Sequence, residues 1–250
     1  RAVADGDDYV INGSKIWTSN AHRANHIFCL VRTKDTERRQ EGISFLLFPM
    51  DCPGITVKPI INIVGEHGFN QVFFDDVRVP QSCRLGAEND GWTVAKYLLE
   101  FERGGSAHAA TVAASLAQLR NVAAGDALED PLFAQKIAGV AIKQLAAEFT
   151  EHRVIADITR QGRPGPASSF MKVMGSETNQ AITELTVEAL NYYAAPFQPE
   201  ARKPGNNVKP IAPEVGVAAV AKYLFLRAAS IYSGSNEIQR NIMAKQILGL

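Results

Sequence analysis

Cysteine is scarce in this chain, with three in 250 residues, at Cys29, Cys52 and Cys83. They are odd in number and far apart, so they make neither a disulfide framework nor a metal-ligand spacing. That suits a reducing compartment. No apolar run is long enough to cross a membrane. Lys plus Arg equals Asp plus Glu, 26 of each, and no dense basic tract occurs. Nucleic acid and an anionic membrane surface are therefore not expected partners. His22, His26, His108 and His152 have no ligand spacing to carboxylates or cysteines, and no metal is expected. His67, in Gly65-Glu66-His67-Gly68, reads as a structural hydrogen-bonder in a turn. No Gly-rich phosphate loop precedes a helix, and no Ser/His/Asp arrangement can be assembled. No signal peptide opens the chain, but it starts with Arg1 rather than Met, so that absence decides nothing.

What the chain does have divides into two kinds of sequence. Residues 1–85 are β-like. Asn12-Gly13 lies between runs of strand chemistry, and both residues tolerate φ > 0, so the pair is expected to form a type I′ hairpin turn. Ile27–Thr33, Ile43–Pro49, Ile55–Val57 and Gln71–Val79 follow as strands, with Pro80 closing the last. Short strands with polar turns predict a compact antiparallel barrel or sandwich. From Gly86–Gly91 onward the chain becomes rich in Ala, Leu, Glu, Gln and Lys at helical period. Helices are expected at about 91–124, 131–161, 167–193, 214–230 and 236–247. Asp130-Pro131 supplies an N-cap with Pro at the first helical position. Gly162–Pro166 is a stop and turn. Long helices with short connections predict an up-down bundle over residues 86–250. The expected class is α+β, a β-domain followed by a helical bundle.

Two places carry possible chemistry. At the end of the first long strand run, Trp17, Thr18, Ser19 and Asn20 put an indole and two hydroxyls side by side. They read either as a flat apolar face with donors for a planar ligand, or as a core Trp capped by loop hydroxyls. The second place is Glu102. At about 100° per residue, Trp92, Val94, Ala95, Leu98, Leu99 and Phe101 fill one half of a helical wheel, and Glu102 falls near its middle. A carboxylate there is paired, protonated or used, and burial raises its pKa toward the range of a general base. The alternative is a Glu at a helix bend near Gly104-Gly105.

The segment from Ile11 to Thr33, INGSKIWTSNAHRANHIFCLVRT, resembles the flavin-contacting segment of the acyl-CoA dehydrogenase family. Asn70–Pro80, NQVFFDDVRVP, and Ser233–Leu250, SGSNEIQRNIMAKQILGL, resemble further segments in the family's order. The resemblance implies an FAD-dependent α,β-dehydrogenation of an acyl-CoA thioester. A Glu removes the α-proton and flavin N5 accepts the β-hydride. It implies that Ser19 hydrogen-bonds flavin N5, that Trp17 packs on the isoalloxazine with Thr18 between them, and that Ser235 and Glu237 lie near the flavin and adenosine. Ser235 and Glu237 read equally as an ordinary N-cap and a first-turn acid. In much of the family the base lies just before the Gly of the C-terminal segment, where this chain has Ser233. Other members carry it on the helix of Phe101-Glu102-Arg103, so the resemblance also selects Glu102.

The family's Arg-x-x-Phe-Gly and Gln-x-x-Gly-Gly motifs, which reach the FAD pyrophosphate and adenine of a neighbouring subunit, are missing. The corresponding stretches contain Asp126, Glu129 and Asp130, and Asn191, Tyr192 and Tyr193. The chain therefore resembles the base-carrying subunit of heteromeric members, and a hetero-oligomer with a related subunit is expected. The resemblance further implies that the family's N-terminal helical domain and first strands are missing here. It implies an electron-transfer flavoprotein as electron acceptor and a bacterial cytoplasmic location. A scaffolding subunit, or a flavin oxidase or monooxygenase on the same fold, is the alternative.

Overall fold

The structure is a computed structural model. It describes residues 1–105, 109–124, 126–162, 165–211 and 213–250, and for residues 100–105, 126 and 161 the backbone alone. The chain divides into two compact units, Arg1–Leu98 and Leu99–Leu250.

The first unit holds strands β1 (Ala2–Asp5), β2 (Asp8–Ser19), β3 (His26–Arg32), β4 (Ile43–Pro49), β5 (Ile55–Ile61), β6 (His67–Pro80) and β7 (Arg84–Leu85). They form a four-stranded sheet in the order β1-β2-β6-β5 and a three-stranded sheet in the order β3-β4-β7. Every pairing between these strands is antiparallel. The period of two is clearest in β3, where Ile27, Cys29 and Val31 are buried and the residues between them are not. They share one core with Tyr9, Ile11, Val72, Phe74, Val77 and Val79 of the other sheet and Leu46 and Phe48 of β4. The β-domain is thus two open sheets facing a common core, the sandwich alternative, and no closed barrel forms. The Tyr9 hydroxyl, fully buried, donates to Glu88 Oε1 at 2.8 Å and accepts from Arg84 Nη1 at 2.7 Å.

The expected turn at Asn12-Gly13 is not a turn. β2 runs unbroken from Asp8 to Ser19. The tight turn lies earlier, at Gly6-Asp7, between the paired Asp5 and Asp8, with Gly6 at φ 61°. Asn12 instead sits opposite a bulge. Ile11 pairs Val77 and Gly13 pairs Phe74, so Asn12 alone opposes Asp75 and Asp76. Its side chain completes the defect: Oδ1 accepts from the Asp76 N–H at 3.0 Å and Nδ2 donates to Asp76 Oδ1 at 2.8 Å. An Asn that bonds backbone this way serves a bulge as well as a turn, which is why the dipeptide misled.

The second unit is helical. Helix α1 (Gly91–Gly105) begins in the first unit. α2 (Ala109–Val122), α3 (Asp126–Glu129), α4 (Pro131–Gln161), α5 (Ala167–Leu190), α6 (Ala219–Leu226) and α7 (Asn236–Met243) follow. The helix expected at 91–124 is therefore described as two, with residues 106–108 outside the described residues. The last two expected helices are shorter than read. Tight 3₁₀ turns flank α6, at Glu214–Gly216 and Arg227–Ser230, and α7 widens into a π turn at Ala244–Leu248. α5 is the central element and packs against α2, α4, α6 and α7. Its Ile182 and Leu185 join Val112, Leu116 and Leu119 of α2 and Phe133, Ile137 and Val140 of α4 in the main core. Asp130 caps α4 as expected, its carboxylate accepting from the Leu132 N–H at 2.9 Å.

Candidate active site

In the β-unit the site is built by a second bulge. Lys15 pairs Val72 and Thr18 pairs Asn70, so Ile16 and Trp17 together oppose Gln71. The extra residue turns the strand locally and re-aims a side chain. Trp17 takes φ 61°, a conformation that costs a bulky residue about 1–3 kcal/mol and is held only by its surroundings. The result is a tryptophan that is 62% exposed, its ring braced edge-on by Phe69 at 6.2 Å between ring centroids. Trp17 is therefore not the core Trp that one reading of the sequence allowed. Two residues on, Ser19 is exposed at the strand's last position.

Asn70 fixes this strand end, and sequence reasoning gave it no role. Its amide is fully buried. Nδ2 donates to the Thr18 carbonyl at 3.0 Å and to His22 Nδ1 at 3.2 Å, while Oδ1 accepts from His67 Nε2 at 2.7 Å. The His22 and His67 rings stack with centroids 3.8 Å apart. His67 is thus the structural hydrogen-bonder expected, at the head of β6 rather than in a turn. The set leaves no atom of the Asn70 amide unpaired, and it anchors the backbone of the residue between Trp17 and Ser19. Asn70→Leu keeps the volume and strands three partners. An expected loss of about 1–2 kcal/mol in stability would appear as a lower urea midpoint at unchanged slope.

In the helical unit the candidate residues gather at the start of α7. Ser233 and Gly234 both take left-handed backbone, φ 55° and 83°. Gln239, fully buried, reaches back with Nε2 to the Ser233 and Gly234 carbonyls at 3.4 and 3.3 Å. A Cβ on Gly234 would lie 2.4 Å from that nitrogen and displace the Gln239 amide, and the left-handed backbone favours glycine there. Ser235 is the N-cap, its hydroxyl accepting from the Ile238 N–H at 3.4 Å. Glu237 is exposed in the first turn. Its carboxylate is held below the ordinary range, chiefly by a hydrogen bond from backbone N–H, then by the Ser235 hydroxyl. Beneath them Lys172 is buried and donates to Asn236 Oδ1 at 2.8 Å. Burial pushes the Lys172 pKa down, and nearby Glu237 partly opposes it.

The structure thus brings together Trp17, Thr18 and Ser19 in one unit, and Ser235 and Glu237 in the other. Glu102 falls within α1, and its side chain lies outside the described residues. Among the described residues no group of His, Cys, Asp and Glu is arranged to hold a metal, and no helix is long and apolar enough to cross a membrane.

Comparison with known proteins bears on the family and the fold. Residues 1–77 match the family model "Acyl-CoA dehydrogenase, middle domain", and residues 89–248 match "Acyl-CoA dehydrogenase, C-terminal domain". The acyl-CoA dehydrogenase IpdE1 of Mycobacterium tuberculosis is 36% identical over 262 aligned positions, covering 100% of this chain and 61% of the relative. Among solved structures, the Tcur3481-Tcur3483 steroid ACAD superposes with a TM-score of 0.83 at 27% identity, over 100% of this chain and 63% of that one. The ChsE4-ChsE5 complex from Mycobacterium tuberculosis gives 0.80 at 29%, with the same coverage. The chain therefore belongs to the acyl-CoA dehydrogenase family. It spans about three-fifths of the length of these relatives, 61% of IpdE1.

Proposed function

We propose that this chain is the base-carrying subunit of a heteromeric, FAD-dependent acyl-CoA dehydrogenase. The observation that carries the reading is Trp17. It is a bulky residue at φ 61° whose indole faces outward, inside the segment that resembles the family's flavin contact. Strain that exposes an aromatic surface has no value to a core and suits a planar ligand. The residues fit a flavin ring: the indole offers a flat apolar face, and the exposed Ser19 hydroxyl offers a donor at the same strand end. Bound FAD would supply the hydride acceptor.

The chain's own part is proton removal and positioning. Glu102 takes the α-proton of the acyl thioester, and Ser19 donates its hydroxyl hydrogen toward the position where negative charge develops. Thr18 keeps its carbonyl turned to Asn70, which leaves Trp17 and Ser19 free for the ligand. Ser235 and Glu237 order the start of α7 and would help to hold the flavin and adenosine of bound FAD. A steroid-derived or other bulky acyl group is the substrate class favoured by the relatives, among which are a steroid ACAD and a cyclohexane-1-carbonyl-CoA dehydrogenase. An electron-transfer flavoprotein is the proposed acceptor.

The test is a purified complex that is yellow and is bleached under nitrogen by one of a panel of straight, branched, dicarboxylic and sterol side-chain acyl-CoAs. A colourless, stable complex would make the subunit a scaffold. Peroxide formation in air at turnover rate would make it an oxidase.

Two substitutions separate the ring contacts. Ser19→Ala is expected to slow flavin reduction by roughly 10-fold or more while FAD affinity changes little. Trp17→Gly is expected to do the reverse. Glycine accepts φ 61° without penalty, so its stability should hold or rise while FAD affinity falls. Stopped-flow reduction and FAD titration read both. Parallel losses from both variants in both assays would remove the assignment.

A further inference from the structure

The central helix α5 carries polar residues at Ser169, Lys172, Ser176, Asn179 and Thr183, spaced three and four apart along one face. Such a stripe normally faces water, yet all of these but Asn179 are buried. Lys172 is 1% exposed. Among the described residues its ammonium has a single hydrogen-bond acceptor, Asn236 Oδ1, and no ion pair. Of the nearby acids, Glu177 is committed to Arg240, and Glu237 is exposed.

Lys172 lines a cavity of about 180 Å³ with Ser115, Ser176, Asn179, Lys222 and Tyr232, and no carboxylate is among the lining residues. Lys222 donates to Ser115 Oγ at 3.1 Å. Ser115 therefore accepts from one ammonium, and its own proton is free to donate. A buried ammonium with one neutral acceptor is costly, and the second lysine on the same cavity adds positive charge there without a carboxylate to meet it. Water relieves that cost in part; an anion also compensates the charge.

We propose that this cavity is a binding site for a small inorganic oxyanion, phosphate or sulfate in size and charge, held by Lys172, Lys222 and the Ser115 hydroxyl. The volume agrees. The space holds more than one water and accommodates a small tetrahedral oxyanion. Bound there, the anion compensates the charge under Asn236, the first residue of α7, and so supports the Ser233–Glu237 turn.

The probe is inorganic phosphate, titrated into the full chain, with its partner subunit where the two co-purify, in a gluconate buffer free of other oxyanions. A saturable rise in Tm is expected. The midpoint should weaken by roughly tenfold or more in Lys172→Met. Lys222 is exposed, and Lys222→Met serves if Lys172→Met does not fold. Selenate-soaked crystals of the unsubstituted protein should show an anomalous peak in the cavity. A Tm rise that is linear in phosphate and equal in the variants is general salting and overturns the proposal. So does a cavity holding only water in the selenate-soaked crystal.

Discussion

Glu102→Gln is expected to leave flavin bound and to cut flavin reduction by acyl-CoA by roughly 10²-fold or more, the low end of what a positioned base contributes. Gln preserves shape and removes only the proton acceptor. Ser233→Ala, at the position where much of the family has its base, is expected to change the same rate little. A serine without an adjacent base cannot take an α-proton. The comparison is also clean structurally. Ser233 sits at φ 55°, where Ala is about as strained as Ser, and Gln239 holds its carbonyl rather than its hydroxyl. Stopped-flow reduction under nitrogen with a fixed acyl-CoA reads both variants. If Ser233→Ala abolishes reduction and Glu102→Gln does not, the base lies elsewhere.

The two-part architecture was legible because its signals are local and periodic. Alternation marked β3, and the Asp130-Pro131 cap marked the start of α4 to the residue. The open pairing of the sheets was not legible, since strand chemistry does not say which edges meet. Asn12-Gly13 misled because turn and bulge make the same demands of those residue types, and only the unbroken pairing of β2 to β6 tells them apart. At the site, Trp17 and Ser19 were visible as chemistry, but the conformation that exposes the indole was not. It belongs to a bulge whose far side is pinned by Asn70, more than fifty residues away in sequence, donating to the Thr18 carbonyl. Lys172 is hidden in the sequence for a related reason. A polar stripe at helical spacing reads as a solvated face, and its burial is a consequence of α7 and α6 packing over α5.

Expressed without a partner, the protein is expected to be poorly flavinylated or insoluble. FAD joins a planar ring to a charged pyrophosphate and an adenine, and each needs its own contacts. The ring contacts proposed for this chain are Trp17 and Ser19. At the stretches where family members reach across to a neighbour's pyrophosphate and adenine, it offers other chemistry. Glu129 and Asp130 are exposed, and the Asp130 carboxylate is already engaged in capping α4. At the end of α5, Asn191 takes φ 48°, a conformation that glycine adopts freely, and Tyr192 and Tyr193 stand 86% and 58% exposed beside it. Two copies of this surface would present acid and bulk to a dianionic linker, and like charges in a closing interface cost free energy. A related subunit carrying the missing Arg and glycines removes that cost and couples FAD binding to assembly. Co-expression with such a subunit should give a heterotetramer with about half the flavin per chain of a self-pairing enzyme, because only one kind of interface is complete. Mass and flavin content of the protein purified alone, and then with the partner, measure this directly. A stable homotetramer with one FAD per subunit would overturn it. Arg substituted at Glu129 should then leave flavin content unchanged, since the pyrophosphate would already be held by other residues.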